Sequence, residues 1–152
     1  MSFYIREFVA APGRRFPVDL LLTPPAELFA DSDWAIDEIH VTGEAFAQLS
    51  TIYLEVDLYA SITQLCRRCL EPVAVSVVVS EPFELPILPG SDLVDLLPTT
   101  LQMIETVHDP HVLCGDACRG LCPACGVNLN DNPDHVCDTS DSDRKTLRDY
   151  LS

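Results

Sequence analysis

The chain has 152 residues, 47% of them hydrophobic, with 24 acidic against 9 basic residues and a formal net charge of -15. Its length fits one ordinary domain with a real core, and its charge argues against broad electrostatic binding to phosphate backbones while leaving a basic protein partner open. No apolar run approaches the roughly 20 residues of a membrane helix, and the opening "MSFYIREFVAAPGRRF" lacks a signal-peptide pattern, so a cytoplasmic chain with reduced thiols is expected.

In chain order, residues 1–23 predict short strands around the turn "PGRR", followed by a polar, proline-bearing connection from Thr23 to Trp34. Strand character returns over Trp34 to Val41 and again around Gly43 to Gln48. The stretch "TIYLEVDLYASITQLC" alternates strictly. Ile52, Leu54, Val56, Leu58, Ala60 and Ile62 fall on one side, with Tyr53, Glu55, Asp57, Tyr59, Ser61 and Thr63 on the other. Period two predicts a strand with one buried face. "EPVAVSVVVSEPFELP" follows, with Val73, Val75, Val77 and Val79 on one face. The two strands should pair antiparallel and place Cys66-Arg67-Arg68-Cys69 at the hairpin turn. Beyond "LPILPGSDLVDLL", Leu97, Leu101 and Ile104 recur at helical spacing, and Pro98 is tolerated in a first turn. After a cysteine-rich stretch and a turn-rich tail, "DSDRKTLRDYLS" predicts a short closing helix, capped by Asp141 or Ser142 with Leu147, Tyr150 and Leu151 as its apolar stripe. The expected class is α+β, a single domain over 1–152. Residues 1–90 form its β-rich half with the CxxC hairpin, and 91–152 its helix, cysteine-rich region and final helix.

The cysteines carry the chemistry. Cys122-Pro-Ala-Cys125-Gly126 has the form of a zinc knuckle, whose glycine permits a left-handed backbone. Cys66-Arg-Arg-Cys69 is a second CxxC unit, and two such units with further cysteines nearby point to metal. Seven cysteines and His135 make eight ligands, enough for two tetrahedral zinc ions. The favoured partition sets Cys66, Cys69, Cys114 and Cys118 around one ion and Cys122, Cys125, His135 and Cys137 around the other. Grouping Cys114 to Cys125 is a second partition, and pairing the two CxxC units a third. One structural zinc or two therefore remain open. His111 is a reserve ligand, while His40 and His108 read as surface or turn residues. Neither CxxC unit opens a helix in a βαβ setting, so a thiol-redox role is the weaker reading. A filled zinc shell leaves no position for water, and no serine triad, phosphate loop or HExxH motif is present, so a non-enzymatic protein is expected.

The segments "CRRCLEPV", "CGDACRGLCPACGVNLN" and "SDRKTLRDYL" together resemble the large ribosomal RNA subunit accumulation protein family of YceD type. The order of elements is similar over most of the chain, with the specific likeness in the C-terminal stretch. The resemblance implies Cys66, Cys69, Cys114, Cys118, Cys122 and Cys125 as motif positions. The family often carries C-x-C near its end, where this chain has His135-Val136-Cys137. It further implies a role in 23S rRNA accumulation and large-subunit biogenesis. With so acidic a surface, the expected partner is a basic ribosomal protein or a large-subunit assembly intermediate. Direct RNA contact is confined to a local meeting of Arg67, Arg68 and Arg119. The alternatives are a thiol redox or metal-sensing protein, and a zinc-ribbon adaptor in transcription.

Overall fold

The structure is a computed structural model and describes residues 2–137; the closing helix expected over Asp141 to Ser152 lies outside them. Strand β1 (Ser2–Tyr4) leads into helix α1 (Arg6–Ala10), then β2 (Phe16–Leu22). A 3-10 turn (Ala26–Phe29) precedes the two longest strands, β3 (Trp34–Gln48) and β4 (Thr51–Leu65). Strands β5 (Pro72–Val79), β6 (Phe83–Pro86) and β7 (Leu93–Asp95) and helix α2 (Leu97–Val107) complete the elements of the described residues. The main sheet runs β2-β3-β4-β5 with β6 also on β4, every pair antiparallel, and β1 pairs β7 in a separate ribbon. The antiparallel β-rich class with a few short helices is thus the observed architecture. Among the described residues, no helix is long and apolar enough to cross a membrane.

The alternating residues of β4 behave as their period demands. Ile52, Leu54, Val56, Leu58, Ala60 and Ile62 are all buried, and Val75 and Val77 of β5 pack beside them. Burying each large aliphatic side chain contributes about 1.5–3 kcal/mol, so this row anchors the sheet. Ile5 and Phe8, at and in α1, and Leu96 and Ile104, at and in α2, join the same buried cluster, and Thr100 of α2 is buried as well. Leu97 N–H bonds to Asp95 Oδ1 at 3.1 Å, which satisfies an orphan donor where α2 begins.

Two local expectations change. Residues 6–10 form a helix where a strand was expected, because Ile5 and Phe8 both reach the core at a spacing of three. Strand β3 runs unbroken through Gly43. This glycine has φ +149°, and a Cβ there would lie 2.4 Å from the Glu55 carbonyl oxygen, so it permits close strand approach. A register shift between Ile36 and Glu38 lets Ile36 and Ile39 both face the core, with Asp37 as the extra residue.

The far end of β4 fixes the path into the cysteine region. Gln64 is buried, and its amide donates to the Asp109 carbonyl at 3.0 Å. Its carbonyl oxygen meets His108 Nε2, and the His108 ring stacks on Trp34 at 4.3 Å. His108, half-buried just past the end of α2, does structural work within the fold that its reading as a surface or turn residue did not include. It ties the end of α2 beside the β4–β5 hairpin.

Candidate metal centre

The hairpin turn and the segment after α2 build the same turn twice. In the first, Cys66 N–H bonds to Glu71 O at 2.8 Å and Leu70 N–H to Cys66 O at 3.0 Å. In the second, Cys122 N–H bonds to Val127 O at 2.8 Å and Gly126 N–H to Cys122 O at 2.9 Å. Each turn closes on a left-handed residue, Leu70 at φ 61° and Gly126 at φ 77°. Glycine takes this conformation freely, whereas leucine pays a steric cost there. Both CxxC units were readable in the sequence, but only Cys122–Gly126 carries the glycine that marks the left-handed turn; at Cys66–Leu70 a leucine takes that place.

Backbone bonds stitch the two turns together. Arg67 N–H reaches Val112 O at 3.1 Å and Leu121 N–H reaches Arg68 O at 3.0 Å. Gly120, at φ 75°, presses on this seam: a Cβ there would stand 3.0 Å from Arg68 O. Leu121 bridges Asn128, and Leu129 N–H returns to Gly120 O at 2.9 Å. Asn130 supports the site in a way the sequence did not announce. Its Oδ1 accepts from Arg119 N–H at 2.8 Å, and its Nδ2 donates to Cys118 Sγ at 3.5 Å. The only sequence signal was its place in the "NLN" stretch.

The eight candidate side chains fall into two groups. Cys66, Cys69, Cys114 and Cys118 form one, and Cys122, Cys125, His135 and Cys137 the other; within each, ligand atoms lie within 4.8 Å of one another and can hold a metal ion. The contiguous set Cys114 to Cys125 does not form one ligand group, and the two CxxC units, though joined by backbone, fall in different groups. His111 joins neither group and lies exposed, its Nδ1 3.7 Å from Asp109. His40 sits on the sheet surface against Asp19 at 2.7 Å. All seven cysteines are free thiols.

The geometry fits a tetrahedral ion. Thiolates held at about 2.3 Å from zinc stand about 3.8 Å apart. Cys66 and Cys118 sulfurs are 3.8 Å apart, Cys69 and Cys114 sulfurs 3.5 Å, and Cys125 Sγ and His135 Nε2 3.2 Å. The burial differs: three of four cysteines are buried in the first group, but only Cys122 in the second.

Electrostatics point the same way. The N–H of Cys69, with those of Arg68 and Cys114, pulls the Cys66 thiol down to about 6. The N–H groups of Cys125 and Ala124 pull Cys122 down to about 6. The opposite holds for the thiols that face other sulfurs. Cys114 is pushed up to about 12 by Cys118 and then Cys69, and Cys137 up to about 11, first by Cys125. Each group thus has backbone dipoles arranged for anionic sulfur, yet its thiols cannot all ionise without a cation among them. A bound metal would supply that charge and displace the remaining protons.

The arginines near the site are individually engaged. Arg68 Nη1 donates to Cys118 O at 3.0 Å, Arg119 Nη1 to Pro133 O at 2.8 Å, and Arg67 pairs with Asp33 at 3.4 Å. Their interactions tie chain to chain. No protein-family model, curated protein or solved structure matches the chain, so its chemistry is read from the two ligand groups themselves.

Proposed function

We propose that the chain is a non-enzymatic, zinc-stabilised protein that supports 23S rRNA accumulation and large-subunit assembly through a basic protein partner. The observation that carries the metal part is the presence of two four-ligand groups, the ligand atoms of each within 4.8 Å of one another. Cys66, Cys69, Cys114 and Cys118 would hold one zinc ion, and Cys122, Cys125, His135 and Cys137 a second. With four protein ligands per ion, each site is closed, which suits a structural role and supplies no water for hydrolysis. The ribosomal part is supported by the resemblance of the cysteine stretch to the YceD-type family, and the choice of a protein partner by the net charge of -15.

The test is depletion of the protein in its own cells, with 23S and 16S rRNA measured side by side. Selective loss of 23S rRNA, restored by the parent chain and not by Cys66→Ser, is the expected result. Unchanged 23S rRNA would remove the ribosomal reading.

The exposed second group favours one further reading, in which oxidation of Cys125 or Cys137 releases its ion and makes the protein a thiol sensor. Metal content and free thiols, followed together during mild oxidation, separate the two. A sensor loses one ion reversibly at low oxidant, and a structural protein keeps both.

A further inference from the structure

The sheet has a second face that the core does not use. Across β3 and β4 its outward pairs run Phe46 beside Tyr53, Glu44 beside Glu55, Thr42 beside Asp57, His40 beside Tyr59 and Glu38 beside Ser61. Asp19 of β2 adjoins Thr42. These side chains are half-buried or exposed, with Tyr59 at 46%. The face therefore alternates aromatic rings with carboxylates.

Glu44 directly opposite Glu55 is a like-charge pair, which destabilises a sheet unless a cation intervenes. Arg15 intervenes. Its guanidinium bonds both Glu55 oxygens, with Nη2 to Oε1 at 3.0 Å, and Nη1 also reaches Glu44 Oε2 at 3.4 Å. The same guanidinium lies 5.1 Å from the Phe46 ring centroid. A planar cation is thus held by a carboxylate fork and an aromatic ring, the combination that suits arginine better than lysine. Further along the face, Asp57 (opposite Thr42) and Glu38 (opposite Ser61) lie on either side of the His40–Tyr59 pair, two separate carboxylates flanking one ring, and among the described residues no arginine or lysine pairs with either. Beside Asp57, β5 leaves β4 after Val79 and β6 joins only at Phe83. A hollow of about 210 Å³ opens there against Thr42, Glu55, Asp57, Ser80 and Pro82.

We propose that the outward face of β3 and β4 docks an arginine-rich segment of a basic partner protein, one guanidinium at Asp57 and another at Glu38, each a carboxylate beside the Tyr59 ring as Glu55 is beside Phe46 at Arg15. This rests on the reading above that the partner is a basic protein, and it names the surface used. A second copy of this chain is disfavoured, since two such faces repel, and nucleic acid is disfavoured for the same reason.

The test uses the metal-loaded full chain with fluorescein-labelled octa-arginine and octa-lysine peptides at about 0.15 M salt, where the Debye length is about 8 Å. Octa-arginine is expected to bind about five- to tenfold more tightly, reflecting stacking that lysine does not share. The triple variant Asp19→Asn, Glu38→Gln, Asp57→Asn should weaken octa-arginine by about tenfold. An equal change elsewhere, Glu7→Gln, Glu27→Gln, Asp31→Asn, should weaken it by less than about twofold, since screening confines long-range effects. Tyr59→Leu, which keeps an apolar side chain, should narrow the arginine preference. Equal affinity for both peptides, or equal loss in both triple variants, overturns the proposal. So does tight binding of a purified 23S rRNA fragment that the first triple variant abolishes. Because 23S rRNA accumulation is measured separately, this face can fail while the ribosomal reading stands.

Discussion

The β-sheet and the cysteine segment are folded by different forces. From Ile5 to Ile104 the chain buries a continuous apolar cluster in which β4 alone supplies six side chains. From Asp109 to Cys137 it has little to bury. Apart from the sulfurs, only Leu113 and Leu121 of this segment pack into its cluster, with Val73 from the sheet. Its order comes from backbone bonds onto the hairpin and from two groups of metal-binding atoms. The sheet is held by what water excludes, and the segment by what an ion would gather. The two halves should therefore respond to different insults.

Removing metal gives the largest expected effect. Structural zinc in small sites contributes on the order of 10–16 kcal/mol, comparable to a whole domain's stability. Chelation should abolish amide protection at Leu121, Cys122, Gly126 and Leu129 while β3 and β4 stay protected in hydrogen exchange. If the sheet melts with the segment, the division drawn above is wrong.

Single-ligand changes sharpen it next. Cys66→Ser should remove one ion and free the path of Val112 to Leu121, because that group joins hairpin to segment. Cys125→Ser should remove one ion and leave protection at Arg67 and Leu121 intact. Zinc counted per chain and exchange at those amides decide the matter; loss of both ions from either change would show the groups to be interdependent.

Leu58→Ala attacks the other half. A fully buried leucine truncated to alanine costs about 2–5 kcal/mol. Chemical denaturation should show that loss with metal content unchanged. The smallest effect belongs to Leu70→Gly. Relieving a left-handed leucine, less the added freedom of the unfolded chain, should raise stability by about 0.5–1 kcal/mol. A decrease would mean that the exposed Leu70 side chain makes contacts worth more than its strain.

The two halves were also unequally legible in the sequence. Strand β4 was plain because period two, sustained over Ile52 to Ile62, has one physical solution. The cysteine grouping was legible as one of three because spacing limits which thiols can share an ion, but only tertiary pairing chooses among them. That choice rests on Leu121 meeting Arg68, a contact no local pattern encodes. Helix α1 was missed since a five-residue helix leaves too short a period to read. The strand was read as two pieces meeting near Thr42 and Gly43 because a glycine's role in close approach depends on the strand opposite. Asn130 was overlooked and the tie made by His108 was not foreseen, because each acts through a partner distant in the chain, Cys118 and Gln64.

The stitched turns have a consequence for the order of folding events. Cys66 and Cys69 are placed by a hairpin whose strands are adjacent in sequence, but their partners Cys118 and Cys114 lie 52 and 45 residues further on. The second group is local by contrast, with Cys125 and His135 separated by 10 residues. Loop-closure entropy grows with the logarithm of length, so the first group costs about 1.3–1.5 kcal/mol more to assemble from an open chain. A hairpin that forms early offsets this by presenting two sulfurs already at ligand distance. Refolding should then show a fast phase independent of zinc, followed by a slower one whose rate rises with zinc concentration.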